Sequence, residues 1–182
     1  MNKKVEEIME TLLRMEKPEI LITSEIDGSA YRTLASALLV LKARGSPDVV
    51  INIDSGGGEV GAGLDMYDLI RLYPGETTGM VYGRAASMAA IVLQACKKRH
   101  AARHAEILIH HVSRQSVSLD TLKDKEKLDK LVADLEARQK RLYQILCEKT
   151  KKSEGEIAAE CAKDAFMPAE VAKDFGLLDE VL

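Results

Sequence analysis

Short apolar segments alternate with longer amphipathic ones, and this alternation restricts the fold more than any other feature of the chain. Segments bounded by turn residues and rich in β-branched or aliphatic side chains predict strands, at residues 19–23, 49–53, 77–81 and 106–110. Apolar residues at helical spacing predict helices between them, at residues 30–43, 60–72 and 87–98. Strands that alternate with helices predict right-handed βαβ crossovers. We therefore expect an α/β fold with a largely parallel sheet, in one domain over residues 1–182.

The composition excludes two classes of partner. The net charge of −3 and an aromatic content of 4% offer neither a basic stripe nor stacking surfaces, so we expect no nucleic-acid binding. No apolar run approaches the roughly 20 residues that span a bilayer, and residues 1–15 carry acidic side chains unlike a signal peptide. Cys96, Cys147 and Cys161 are odd in number and lack metal-ligand spacing. We expect a cytoplasmic protein with no metal, no cofactor and no membrane contact.

Ser87 lies in the stretch Tyr-Gly-Arg-Ala-Ala-Ser-Met-Ala-Ala (residues 82–90), between a predicted strand and a predicted helix. A serine at such a junction lies beside free backbone N–H groups at the positive end of a helix dipole, which suits a nucleophile whose substrate develops an oxyanion. The competing interpretation is that Ser87 only caps the helix, because serine is a preferred N-cap residue.

A second loop, Ser-Gly-Gly-Gly-Glu (residues 55–59), follows the predicted strand 49–53. Consecutive glycines let a backbone approach a ligand and present its N–H groups. The loop lacks the Gly-Lys-Ser/Thr of a Walker loop and does not fit the dinucleotide fingerprint. It therefore indicates either a backbone cradle for an anionic group or a tight turn without a ligand.

The sequence does not single out the histidine and the carboxylate that would act with Ser87. His100 and His104 lie in a basic connector, residues 97–104, which we interpret as a solvated loop, whereas His110 and His111 end a predicted strand. Parallel α/β sheets place their sites at the carboxyl ends of strands, and adjacent strand residues face opposite ways, so His110 or His111 could face Ser87. The candidates for an orienting carboxylate remain open, and they are Asp54, Asp120, Asp164, Asp174 and Asp179.

Residues 119–149 form a charged segment with a narrow stripe of leucines at helical spacing. One helix of this length would extend roughly 45 Å, too far to lie on a small domain alone. Such a helix usually packs on a partner helix, which predicts self-association, although a surface helix folded over its own sheet is the alternative. After it, residues 154–162 and a segment opened by Pro168 predict two short helices, and residues 177–182 predict a last strand.

Four motifs, in order, resemble those of the Clp protease proteolytic subunit (ClpP) family. Ser-Gly-Gly-Gly-Glu-Val-Gly-Ala-Gly (residues 55–63) is similar to its glycine loop, and Gly-Arg-Ala-Ala-Ser-Met-Ala-Ala (residues 83–90) to its nucleophile turn. Ile-Leu-Ile-His (residues 107–110) resembles its strand end, and residues 163–179 resemble its Asp-x-Phe and Gly-Leu-x-Asp ending. The resemblance covers roughly residues 18–182.

This resemblance implies a spiral of βαβ units, shared by ClpP and crotonase-like proteins, with a projecting handle helix at about residues 119–150. It implies that Ser87 is the nucleophile, His110 the general base and Asp164 its orienting carboxylate. Backbone N–H groups of Gly58 and Met88 would form the oxyanion hole, with Gly57 supporting the turn. Residues after the base, including Val112, Ser113 and Arg114, would bind extended peptide. The handle would join heptameric rings into a tetradecamer that encloses the active sites and degrades peptides or unfolded proteins.

Several positions depart from the family pattern. Gly56 stands where the family has proline, Ala89 where it has glycine, and Arg84 places a charge before the nucleophile. The family's Clp-type ATPase docks on aromatic residues that Val50 and Asn52 replace here, so a standard ATPase partner is not expected. Two other functions remain open. One is a catalytically silent architectural subunit, and the other, less favoured, is a crotonase-type acyl-CoA enzyme.

Overall fold

Seven strands form one sheet in the computed structural model of this protein, which describes residues 17–114 and 116–182. The strands are β1 (Glu19–Ile22), β2 (Val49–Ser55), β3 (Thr77–Ala86), β4 (Lys98–Ala101), β5 (Glu106–Leu108), β6 (Met167–Pro168) and β7 (Glu180–Val181). The helices are α1 (Gly28–Ala43), α2 (Val60–Arg71), α3 (Met88–Leu93), α4 (Leu119–Lys123), α5 (Lys125–Thr150), α6 (Glu154–Cys161) and α7 (Ala169–Phe175).

The sheet is mainly parallel, as the alternation of elements predicts. Its order is β1-β2-β3-β4-β7, while β5 pairs in parallel with the far end of β3, and β6 pairs antiparallel with β5. Strand β3 is therefore central, because β2, β4 and β5 all bond to it. Its carboxyl end, Arg84–Ala86, lies in register with Glu106–Leu108 of β5.

One face of the sheet is covered by helices. Ile20, Ile51 and Gly79 are in register on neighbouring strands, and a side chain at Gly79 would meet Leu93 of α3. Helix α1 contacts β1, while α3 contacts β2 and β3. Burial of these aliphatic side chains drives packing on this face.

The chain divides into two compact units. The first contains the described residues up to Leu108 together with Phe166–Leu182, and hence the whole sheet. The second is Ile109–Ala165, which contains α4, α5 and α6. In this second unit the carboxyl half of α5 buries Leu142, Tyr143 and Leu146. The amino half of α5 is less buried, since Val132 there is 45% exposed.

Most predicted elements are confirmed, including the two terminal helices and the last strand, but several predictions are wrong in detail. The strand predicted at residues 77–81 continues to Ala86, and the strand predicted at residues 106–110 ends at Leu108, so His110 and His111 follow the strand instead of ending it. The connector 97–104 is not a solvated loop, because Lys98–Ala101 pairs with β3 and β7 and buries Arg99. The helix predicted from residue 87 to 98 ends at Leu93. The long helix predicted at about 119–150 is broken at Asp124, whose side chain accepts a hydrogen bond from the Lys127 N–H and starts α5 anew. The predicted amphipathic helix at the N-terminus lies outside the described residues.

Candidate active site

Ser87 occupies the turn between β3 and α3 in a backbone conformation that few residues other than glycine adopt. Its φ is 57° and its ψ is −125°. A non-glycine residue in such a region costs on the order of 1–3 kcal/mol and persists only where its surroundings impose it. Here the Ser87 N–H donates to the Leu108 carbonyl at 2.8 Å, which ties the turn to the end of β5. Strain of this kind is found at nucleophiles on sharp strand-to-helix turns.

The Ser87 side chain makes no capping hydrogen bond to α3. The interpretation of Ser87 as a helix cap is therefore wrong for the side chain, although the residue does hold the N-cap position. Its hydroxyl is left available for chemistry.

The glycine loop packs directly against this turn. Gly57 has a φ of +97°, and a Cβ added to it would lie 2.6 Å from the Ser87 Cβ and 2.9 Å from the Met88 nitrogen. The loop is held by Ile26, whose N–H donates to the Gly57 carbonyl at 2.8 Å and whose carbonyl accepts from the Glu59 N–H at 2.7 Å. Only glycine allows so close an approach at residue 57, so this position of the loop is fixed by its packing on the Ser87 turn, while binding of a ligand by the loop stays a prediction.

Two backbone donors in this region remain unused. In residues 17–114 and 116–182, the N–H groups of Gly58 and Met88 donate to no protein acceptor. Both belong to the segments that pack together at Ser87. Free N–H groups beside a serine are suited to binding an oxyanion.

The two histidines at the end of β5 differ in their surroundings. His111 is exposed, and its Nδ1 lies 2.8 Å from the hydroxyl of Tyr143 on α5. Its ring also contacts the Tyr143 ring, with centroids 6.3 Å apart. His110 is half-buried and follows Leu108 by two residues. Since His111 is engaged by Tyr143, His110 is the histidine whose side chain remains for another role.

Three of the aspartates considered as the orienting carboxylate already have another partner. Asp179 pairs with Arg99, Asp120 with Lys127, and the Asp54 carboxylate accepts from the Arg84 N–H.

Asp164 follows α6 and is exposed, with a φ of 46°. Among the residues described, no hydrogen bond joins Asp164 to His110, so this pairing stays a prediction. The same holds for the role of Val112, Ser113 and Arg114, which form no regular strand here.

The sequence did not predict a cluster of hydrogen bonds around the buried Arg99 side chain. The Arg99 side chain donates to both carboxylate oxygens of Asp179, to Gln94 Oε1 at 2.7 Å and to the Gly176 carbonyl at 2.7 Å. These bonds attach the C-terminal segment to the sheet. The only signal in the sequence was an arginine within a run of basic residues, which normally indicates a solvated surface.

The described residues contain neither a metal-ligand cluster nor a bilayer-spanning helix. Within the part of the chain that the structure describes, no three His, Cys, Asp or Glu side chains converge as metal ligands would. None of the described helices combines the length and apolar character needed to cross a bilayer.

A mainly parallel α/β sheet with a strained serine after its central strand, packed against a glycine-rich loop, resembles the strand-to-helix turns on which some hydrolases carry their nucleophile. The family model for Clp protease matches residues 1–182. The chain therefore belongs to the Clp protease family, as the four motifs predict. Membership implies a peptidase, and members of this family generally form ring oligomers.

Proposed function

We propose that this protein is a serine endopeptidase that cleaves peptides or unfolded proteins through an acyl-enzyme. The observation that carries the proposal is the strained Ser87, whose hydroxyl is uncapped and whose backbone packs on Gly57. A strain of about 1–3 kcal/mol has no evident structural benefit at a helix cap that makes no hydrogen bond. Backbone strain is expected where a turn must hold a nucleophilic hydroxyl toward its substrate.

The chemistry follows from these groups. His110 takes the proton from the Ser87 hydroxyl as it attacks the peptide carbonyl, and then protonates the leaving amine. The N–H groups of Gly58 and Met88 donate to the developing oxyanion, and Gly57 keeps the loop close enough for them to do so. Asp164 orients the His110 ring. No step requires a metal or an organic cofactor.

The link between Ser87 and His110 is supported by the strand register. Ala86 and Leu108 are paired, and the Ser87 N–H donates to the Leu108 carbonyl. His110 comes two residues later in the chain. Substrate would lie as an extended strand along Val112, Ser113 and Arg114.

The assembly we propose is a ring of seven subunits, with two rings stacked through α5 around a chamber. The exposed amino half of α5, with Val132 45% exposed, supports contact with another copy. The whole chain acts as one peptidase domain. Cys96, Cys147 and Cys161 form no disulfide, which suits the reducing cytoplasm. Val50 and Asn52 make a standard Clp-type ATPase an unexpected partner.

A catalytically silent architectural subunit is the second candidate. It is favoured by one observation, the absence of a hydrogen bond between His110 and Asp164 in the described residues. In that case the fold and α5 would serve assembly alone.

Hydrolysis of a fluorogenic peptide separates the two candidates. We expect Ser87→Ala and His110→Ala to lower kcat by a factor on the order of 10³ or more. Asp164→Asn should lower it as well, whereas Asp174→Asn, an exposed aspartate of α7, serves as the matched control and should not. Residual activity in Ser87→Ala equal to that of the wild type would contradict the proposal, and an inactive wild type in an intact ring would favour the architectural subunit.

A further inference from the structure

Helix α5 holds the chain on both sides of the peptide bond between His111 and Val112. The Tyr143 hydroxyl is 2.8 Å from His111 Nδ1, and the Val112 N–H donates to Gln139 Oε1 at 2.6 Å. Gln139 and Tyr143 are four residues apart and so share one face of the helix. The two contacts therefore act on adjacent residues from a single surface.

The helix is rigid where these contacts are made. Tyr143 is only 7% exposed, and Leu142 and Leu146 beside it are also buried. The Thr150 hydroxyl donates to the Leu146 carbonyl at 2.7 Å, which adds a further bond near the end of the helix. Burial, with the nearby Cys161 and Glu154, raises the pKa of Tyr143 further above neutral pH.

The segment that the helix holds has little regular structure of its own. Residues 109–114 belong to no strand, and within their own unit their hydrogen bonds to other elements come from Gln139 and Tyr143. Loss of either bond would leave the segment free to change its backbone angles. A displacement of about 1 Å at a reacting group can lower a rate on the order of 10²-fold.

We infer that Gln139 and Tyr143 are positioning residues of the peptidase. Tyr143 acts on His110 through His111, and Gln139 acts on the peptide-binding residues through Val112. This inference rests on the proposed function, because it assigns the two contacts to the base and to the substrate segment of that site. Neither residue touches substrate itself.

The two contacts should have separable kinetic effects. Tyr143→Phe removes only the hydroxyl, and we expect the rate of labelling of Ser87 by a small fluorophosphonate to fall about fivefold, as for one lost hydrogen bond. Gln139→Leu removes the acceptor of Val112, and we expect the KM for an extended peptide to rise about fivefold or more with a smaller change in labelling. Gln139→Glu keeps an acceptor oxygen and should restore the KM. Gln144→Leu, on the exposed face of the same helix, is the control.

Hydrogen exchange followed by mass spectrometry tests the contact independently of activity. We expect the Val112 amide to exchange at least fivefold faster in Gln139→Leu than in Gln144→Leu, and Gln139→Glu to retain protection. A labelled wild type whose variants show unchanged exchange, KM and labelling would overturn the positioning role alone. A folded wild type that is not labelled would overturn the proposed function and the positioning role together, while the exchange of Val112 would still show whether Gln139 holds the segment.

Discussion

Gly57→Ala is the substitution that tests the packing of the active-site turn most severely. An added Cβ would lie 2.6 Å from the Ser87 Cβ, 2.7 Å from the Ala86 carbonyl oxygen and 2.9 Å from the Met88 nitrogen. Two of these atoms belong to the backbone, so no side-chain rotation can relieve the contact. The residue would also have to keep a φ of +97°.

The loss in free energy of unfolding caused by Gly57→Ala follows from the clash and from the positive φ. A left-handed conformation costs a non-glycine residue about 1–2 kcal/mol. Overpacking against a well-packed site costs a further 1–3 kcal/mol or so. The free energy of unfolding should therefore fall by about 2–5 kcal/mol, and each kcal/mol lowers Tm by about 2–4 °C in a chain of this size. Because the clash is with Ser87 itself, labelling by a fluorophosphonate should slow on the order of 10²-fold.

Thermal unfolding and labelling would be measured on the same samples, with Gly155→Ala as the control. A Cβ at Gly155 in α6 meets nothing within 4 Å, and alanine should gain up to about 1 kcal/mol over glycine in a helix. The reasoning would be refuted if Gly57→Ala matched Gly155→Ala in both Tm and labelling rate, because the loop would then not pack on Ser87 as the structure shows.

Three further predictions concern other parts of the chain. Burial opposes ionisation of Asp179, but the hydrogen bonds and charge of Arg99 outweigh it and lower the pKa of that carboxyl. Because solvent screens a carboxylate whose side chain is 42% exposed, Asp179→Asn should cost only up to about 1 kcal/mol of unfolding free energy above pH ~4, and this difference should vanish as pH falls through the lowered folded-state pKa. Denaturant titrations at several pH values would measure the difference, and a pH-independent difference would contradict the prediction. Burial raises the pKa of the Cys161 thiol to about 11, so iodoacetamide at pH 8 should modify it only after denaturation, as peptide mass spectrometry would show. Leu131→Lys should lower the particle mass by light scattering if α5 joins subunits, whereas Glu136→Lys should not, and equal masses would exclude that contact.

The order of elements could be predicted because each strand and helix carries its own periodicity. Strand β4 could not be predicted, because the charged residues Arg99 and His100 are typical of a solvated loop when their partners are unknown. Arg99 can be buried because Asp179, Gln94 and the Gly176 carbonyl accept its hydrogen bonds, and two of these partners lie far along the chain. A tertiary contact of this kind overrides local propensity.

Two helix boundaries were predicted wrongly. Helix α3 ends at Leu93, and the side-chain amide of the buried Gln94 that follows donates to the Ala90 and Leu177 carbonyls. The break before α5 had a signal in Asp124, a preferred N-cap residue, but the leucine spacing continued across it. Leucine periodicity alone does not report such a break.

The residues of the candidate site could be proposed from the sequence, but their backbone conformation could not. Ser87 and the glycine loop were recognised from small residues at a strand-to-helix junction. The strained φ of Ser87 and its contact with Gly57 depend on three segments meeting, which no local pattern encodes. The contact of Tyr143 with His111 could not be predicted either, and the roles of His110 and Asp164 stay predictions.

The central claim is that Ser87 is the nucleophile of a ring-forming peptidase, and labelling with a fluorophosphonate tests it most directly. Intact-mass and peptide-mass spectrometry would locate the adduct, and light scattering after size exclusion would give the particle mass of the same sample. The account predicts one adduct per chain on Ser87, absent from Ser87→Ala and His110→Ala, in a particle of ring size. A folded ring that carries no adduct, or an adduct on another residue that persists in Ser87→Ala, would contradict it.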